Sequence, residues 1–243
     1  METKKMTNTF AAAEVNRLEL RVSASDVEVK EAAASGEIRV EAEHLDQGHY
    51  VCEVRDGKLV VSHKFKKAGM ISLMNQETVH ITLYMPAGMS FEHIVLEAGA
   101  GNVKMEEVPI SCKEMSAEIG AGKWRAAKLS VTEKLSVQIG AGKVKLKEIT
   151  VGSLSVDCGV GKSAYKGRVN RDITVNCGVG SCNFQLDNKE TDFNYKLSCA
   201  LGSIRLNGNK IGGLGSEKIY SDKKALGTAV LECGLGSIEL NTV

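Results

Sequence analysis

The chain is 243 residues long and carries 31 Lys and Arg against 30 Asp and Glu, a formal charge of +1. That balance argues against a dedicated nucleic-acid binder, which shows a basic excess. Seven cysteines are too few, and odd in number, for a disulfide scaffold, while 25 glycines beside only 2 prolines indicate an ordered chain with many tight corners.

Residues 1–14 read as a disordered or irregular arm. The stretch from Ala11 to Leu20 is broken by Glu14, Asn16, Arg17 and Glu19, so it makes no signal-peptide core. Nowhere is there a run of about 18 apolar residues that could span a bilayer. The expectation is a cytoplasmic protein without a transmembrane segment.

Residues 15–92 alternate irregularly between apolar and polar positions, and strands are predicted over 18–22, 27–29, 37–43, 50–54, 58–62 and 79–85. Asp56-Gly57 between two alternating runs is a two-residue hairpin signal. The stretch 64–75 is basic and then apolar, and reads as a loop over one end of the fold or a weak membrane-surface contact. All five histidines (44, 49, 63, 80 and 93) fall in the first 93 residues. His44-x-Asp46-x-x-His49 lacks a third strong ligand, so no metal is expected there.

From residue 93 onward one unit recurs. Seven copies carry a Gly-x-Gly corner or its near equivalent: Gly99/Gly101, Gly120/Gly122, Gly140/Gly142, Gly159/Gly161, Gly178/Gly180, Gly202 alone, and Gly234/Gly236. Successive closing glycines are 21, 20, 19, 19, 22 and 34 residues apart. A degenerate eighth copy lies at 22–29. Alternation with period two on both sides of each corner marks strands. A repeat of about 20 residues without a helical stretch fits one coil of a stacked solenoid, about 4.8 Å per coil. The predicted fold is an all-β single-stranded β-helix of about seven to eight coils, one domain over 15–243, regular over 93–243. The glycines are read as corners needing positive φ. No helix follows them, which excludes a phosphate-cradling loop. The long last step contains an insertion, 207–227, with Gly212 to Gly215 and Lys218, Lys223 and Lys224; it is expected to cap the C-terminal coil.

The run Ile81-Thr-Leu-Tyr-Met-Pro-Ala-Gly88, then Phe91-Glu-His-Ile-Val-Leu-Glu-Ala-Gly-Ala-Gly-Asn-Val103 and the recurring Gly-x-Gly strands, resembles the bacterial "toastrack" or adhesin-like β-strand-repeat family. The resemblance spans roughly residue 15 to the C-terminus. It implies a β-repeat fold, an undefined function and frequent association with the cell envelope, and it carries no catalytic residues.

Cys158, Cys177, Cys199 and Cys233 share one repeat slot, filled in earlier copies by Ala98, Ile119 and Ile139. The slot is small and apolar, so a buried stack of free thiols is expected, with no disulfide, no metal and no cofactor; a straight ladder cannot surround an ion. Free thiols favour a reducing compartment. Outward positions after the corner hold Lys104, Lys123, Arg125, Lys143, Lys145 and Lys162, which stacking aligns as a basic column. Before the corner they hold Glu97, Glu118, Gln138 and Asp157. The plain reading is a solvated, cross-paired surface, and the functional one is a track for teichoic acid or lipid headgroups. Nucleic acid is not expected, because no outward aromatics interleave with the cations. Catalysis is not expected either: no serine sits in a nucleophile elbow, and Trp124, Tyr165 and Phe184 look inward rather than offering sugar platforms. The sequence thus points to a non-catalytic interaction module, adhesin-like by resemblance, with a polyanion-binding module as second reading and a glycan-active enzyme as a distant third. Partners would be a protein or an envelope polymer, and copies could join through the solenoid ends.

Overall fold

A computed structural model describes residues 4–33, 36–45, 49–64, 78–211, 216–220 and 224–243. The basic-apolar stretch 64–75, Asp46, Gly212 to Gly215 and Lys223 lie outside the described residues, save Lys64. The protein is all-β. The N-terminal part holds β1 (Lys4–Ala11), β2 (Arg17–Val22), β3 (Asp26–Glu31), β4 (Glu37–Leu45), β5 (Tyr50–Arg55), β6 (Lys58–His63) and β7 (His80–Met85). The repeats follow as β8 (Ser90–Ala98), β9 (Asn102–Met105), β10 (Ile110–Ile119), β11 (Lys123–Ala127), β12 (Leu129–Ile139) and β13 (Lys143–Cys158). Then come β14 (Lys162–Val169), β15 (Ile173–Cys177), β16 (Ser181–Leu186), β17 (Phe193–Cys199) and β18 (Ser203–Leu206). The chain closes with β19 (Asn209–Ile211), β20 (Ser216–Tyr220), β21 (Gly227–Cys233) and β22 (Ser237–Asn241).

Equivalent repeat positions pair in parallel and in register, giving a solenoid-like stack. Before the corner, Glu97, Glu118, Gln138, Asp157 and Asn176 pair in succession. After it, Asn102, Lys123, Lys143, Lys162 and Ser181 do the same. Alternation then decides the core: every second residue is interior, and Trp124, Tyr165, Phe91 and Phe184 are its largest fully buried side chains. Tyr165 and Phe184, paired across adjacent rungs, stack with centroids 4.9 Å apart. The predicted 22–29 copy is a rung as well: β2 and β3 flank Ser23-Ala24-Ser25 and pair in register with β8 and β9.

Three expectations are corrected, and the first concerns the corners. None of their glycines has positive φ: not the opening Gly99, Gly120, Gly140, Gly159, Gly178 and Gly234, nor the closing Gly101, Gly122, Gly142, Gly161, Gly180, Gly202 and Gly236. Among the described glycines that state belongs to Gly36, Gly57, Gly88, Gly167 and Gly208. The corners need glycine because one rung lies so close to the next. Gly101, Gly122, Gly142, Gly161 and Gly180 are buried in the stack, and Gly202 and Gly236 are half-buried.

A Cβ on any closing glycine would press into a carbonyl of the adjoining rung. For Gly101 that carbonyl is Ser25 O, for Gly122 it is Gly101 O, and for Gly180 it is Gly161 O. Gly236 would meet Gly180 O in the same way, and Gly202 would meet Gly236 O. The distance is 2.6 Å from Gly142 to Gly122 O and again from Gly161 to Gly142 O. Opening glycines further along the stack have more room, 2.9 Å for Gly140 and Gly234 and 3.1 Å for Gly159 and Gly178. That asymmetry explains why Ala200 can replace the opening glycine while Gly202 stays. The backbone of each corner hydrogen-bonds to the corner before it, as in Ala141 N–H to Gly120 O and Val160 N–H to Gly140 O, both 2.8 Å.

The second correction is that stacking does not follow chain order at the ends. β2–β3 lies between β6–β7 and β8–β9. At the other end β21–β22 slots between β15–β16 and β17–β18. The terminal rung is therefore internal, and the strands of the 207–227 insertion, β19 and β20, pair antiparallel with β18 and β17 instead. Antiparallel β5 covers β6, while β4 and then β1 continue from β7. The third follows from that pairing: residues 4–11 are a paired strand rather than an arm. The hairpin at Asp56-Gly57 forms as expected, both residues at positive φ (48° and 76°).

Candidate functional site

The basic positions form two adjacent columns on the strands that follow the corner. Lys123, Lys143 and Lys162 pair in one, and Lys104, Arg125 and Lys145 in the other. All six are exposed. Lys104 meets Glu28 at 3.9 Å, whereas Lys123, Arg125, Lys143, Lys145 and Lys162 form no ion pair with any described carboxylate. The cross-paired surface of the plain reading is therefore not what these five residues make. Period-two alternation places them outward because Trp124, Val144 and Leu146 between them are buried. A depression of about 420 Å³ runs across both columns, walled by Lys123, Arg125, Lys143, Lys145 and Lys162 and ending at Ser181. Like charges at about 4.8 Å spacing repel, so the face carries an unbalanced positive field.

The middle residue of each corner has a signal in the sequence that the glycines on either side obscure. In stacking order these residues are Ala100, Ala121, Ala141, Val160, Val179, Leu235 and Leu201. The last four are 65%, 56%, 59% and 61% exposed. They form an apolar ridge along the corner, and its first member, Val160, stands two residues from Lys162. Basic columns and apolar ridge thus share one edge of the stack.

The acidic positions Glu97, Glu118 and Asp157 lie on the other side of the corner. Among the described residues only Glu97 of these three meets a cation, Arg21 at 3.4 Å. Trp124, Tyr165 and Phe184, read from the sequence as inward, are buried. His44 and His80 rings meet edge-on at 5.9 Å, on the antiparallel pair β4 and β7. His63 is fully buried, its Nδ1 2.7 Å from Ser25 Oγ.

Cys158, Cys177, Cys233 and Cys199 pair in that order and are all buried. The straight-ladder description needs correcting, because Cys182 enters from the strand beyond the corner. Its Sγ and those of Cys158 and Cys177 all lie within 4.8 Å of one another. The Cys182 thiol hydrogen-bonds to Cys158 and holds the Cys158 thiol below its ordinary value, against the opposing effect of burial. The same contact, reinforced by burial, drives Cys182 upward. Burial pushes Cys112 up to about 12 and Cys233 up to about 11. All seven cysteines are free thiols.

A family model described as Toastrack DUF4097 matches residues 15–214. The chain belongs to the toastrack family. No curated protein matches it. Among solved structures, a proposed cell adhesion protein from Clostridium sporogenes is 17% identical over 100% of both chains, with a TM-score of 0.44. A proposed lipid binding protein from Parabacteroides distasonis is also 17% identical, over 98% of this chain and 96% of its own, at 0.48. A proposed adhesin from Parabacteroides merdae is 16% identical over 99% and 96%, at 0.40. Among the described residues of this toastrack protein, no helix is long and apolar enough to cross a membrane.

Proposed function

We propose that this toastrack protein is a non-catalytic β-solenoid that binds a phosphate-rich anionic surface through its corner edge. The observation that carries the reading is the set of five exposed, in-register cations with no described carboxylate to neutralise them. A phosphodiester array can satisfy several of them at once without deforming a stiff stack. Phosphates of an envelope polymer and of lipid headgroups share that chemistry. The neighbouring ridge of Val160, Val179, Leu235 and Leu201 favours headgroups, because aliphatic side chains beside cations gain by entering the acyl boundary. An envelope setting fits this reading and also fits what is commonly implied for adhesin-like repeat proteins.

The test is co-sedimentation with phosphatidylglycerol vesicles beside binding to soluble polyphosphate. Each basic residue near an anionic surface contributes about 1 kcal/mol, so Lys123→Glu with Lys143→Glu should weaken vesicle binding by about 30-fold or more. Raising salt from about 0.05 to 0.5 M should abolish it, since the screening length falls to about 4 Å. Leu235→Asp should reduce vesicle binding and leave polyphosphate binding intact. Association that ignores both salt and the double charge reversal would eliminate the reading.

A further inference from the structure

We propose that Cys158, Cys177 and Cys182 form a buried three-sulfur site for a soft, three-coordinate cation of the Cu(I) class. The site is independent of the corner edge proposed above. Three Sγ atoms lie within 4.8 Å of one another, contributed by β13, β15 and β16, so no one strand could supply them. A trigonal ion with metal–sulfur bonds of about 2.3 Å sets its sulfurs about 4.0 Å apart. The thiols need to close by less than about 1 Å, which rotation about χ1 supplies.

Donor chemistry selects the ion. No histidine, aspartate or glutamate joins the cluster among the described residues, so oxygen-seeking cations have no ligands there. Structural Zn(II) takes four ligands, and this cluster offers three. All three cysteines are at most 2% exposed, and a dry interior suits an ion that does not retain water.

Two further observations point at the same spot. Ser163 pairs with Cys182 in register, and Tyr165 stands two residues on. Ser163 Oγ and Tyr165 Oη are both buried, and the Ser163 hydroxyl lies beside both the Tyr165 hydroxyl and the Cys182 thiol. The Tyr165 hydroxyl lies in the field of Cys182 and Cys158. Burying hydroxyls in a core carries a cost, and an apolar slot filler gives no reason for two of them beside the thiols. Beside metal-bound thiolates they would donate hydrogen bonds to sulfur and steady the charge. A surface depression of about 420 Å³ has Asp157, Asn176 and Glu232 among its walls and Cys177 and Cys233 in its lining. Two carboxylates raise the local concentration of cations over the strands that carry Cys158 and Cys177.

On binding, three sulfur–metal bonds form, and each thiol that ligates as thiolate releases its proton to solvent. The metal keeps its oxidation state, so no oxidant or reductant is required.

The reduced full-length protein is given one equivalent of Cu(I) under anaerobic conditions and challenged with a Cu(I) chelator. One Cu(I) per chain should be retained, with X-ray absorption showing three sulfur neighbours at about 2.3 Å. Cys158→Ser and Cys182→Ala should each lower retention by about 100-fold or more, and Tyr165→Phe by about 10-fold. Cys52→Ser should change nothing. Should a cysteine variant fail to fold, the coordination number of the wild-type complex still decides. Retention that survives both Cys158→Ser and Cys182→Ala overturns the proposal. So does a coordination shell without three sulfurs, a Zn(II) ion that displaces Cu(I), or a count of five free thiols instead of seven in the purified protein.

Discussion

Between β8–β9 and β15–β16 the rungs stack in chain order, whereas at each end a rung from elsewhere in the chain is threaded inside its neighbour. The middle closes contacts between segments about 20 residues apart, one repeat's length. The ends close longer loops: Val22 pairs with His63 and Ala98, and Cys177 pairs with Cys233. Ordering longer loops costs more entropy and is slower. What the ends gain is that neither outermost parallel rung is left bare. β5 and β4 cover one end and β20 and β19 the other, all antiparallel. A regular solenoid exposes strand edges that recruit other chains, and reversing direction at the end is how this chain stops.

The largest effect should come from removing a threaded rung. Deleting 227–243 takes away β21 and β22, the parallel partners on one side of both β15–β16 and β17–β18. Loss of cooperative unfolding and the appearance of oligomers are expected in thermal melts and light scattering. Deleting 1–14 removes only one strand, the edge strand β1, and should leave a folded monomer with a slightly lower melting midpoint. Equal outcomes for the two truncations would show that ends and middle are not distinct in the way described.

Next comes the middle itself. Trp124 is the one tryptophan and is fully buried in β11. Trp124→Ala should cost about 3–5 kcal/mol in denaturant unfolding. In the wild type its fluorescence reports the middle alone. A fluorescence midpoint below that of circular dichroism would mean that the middle, not an end, opens first.

The finest comparison lies within a single corner. Gly142→Ala should destabilise by about 3 kcal/mol, because its Cβ would sit 2.6 Å from Gly122 O and 2.9 Å from Ile119 Cγ2. Gly161→Ala, at 2.6 Å from Gly142 O, should behave alike. Gly159→Ala, with 3.1 Å to Gly140 O, should cost about 1 kcal/mol or less. The natural Ala200 occupies that same opening slot. Equal costs for opening and closing positions would return the cause to backbone conformation rather than rung spacing.

Much of this was legible in the residues. The spacing of the closing glycines and the alternation around them mark the rungs, and the outward Lys and Arg positions mark a basic column, which the register resolves into two. Both follow from local periodicity, which a stack copies from one level to the next. Three features could not be read that way. The requirement for Gly101, Gly161, Gly180 and Gly236 looked conformational because sequence shows a corner but not the carbonyl one rung away. The thiol ladder looked straight because Cys182 sits in a different repeat slot, and only the turn of the corner brings it to Cys158 and Cys177. The apolar ridge is written in the sequence as Ala giving way to Val and Leu, but its continuity depends on Leu235 stacking before Leu201, against chain order.

The sequence by itself determined that this chain is a β-repeat protein, which residues of each repeat face inward, and where its cations lie, because strand alternation is a local property of the backbone. Only the tertiary structure decided the order of the rungs and the company of the thiols. Both depend on which distant segments share a level of the stack, and one repeat unit can pair in register with any other, so nothing in the unit itself names its neighbour.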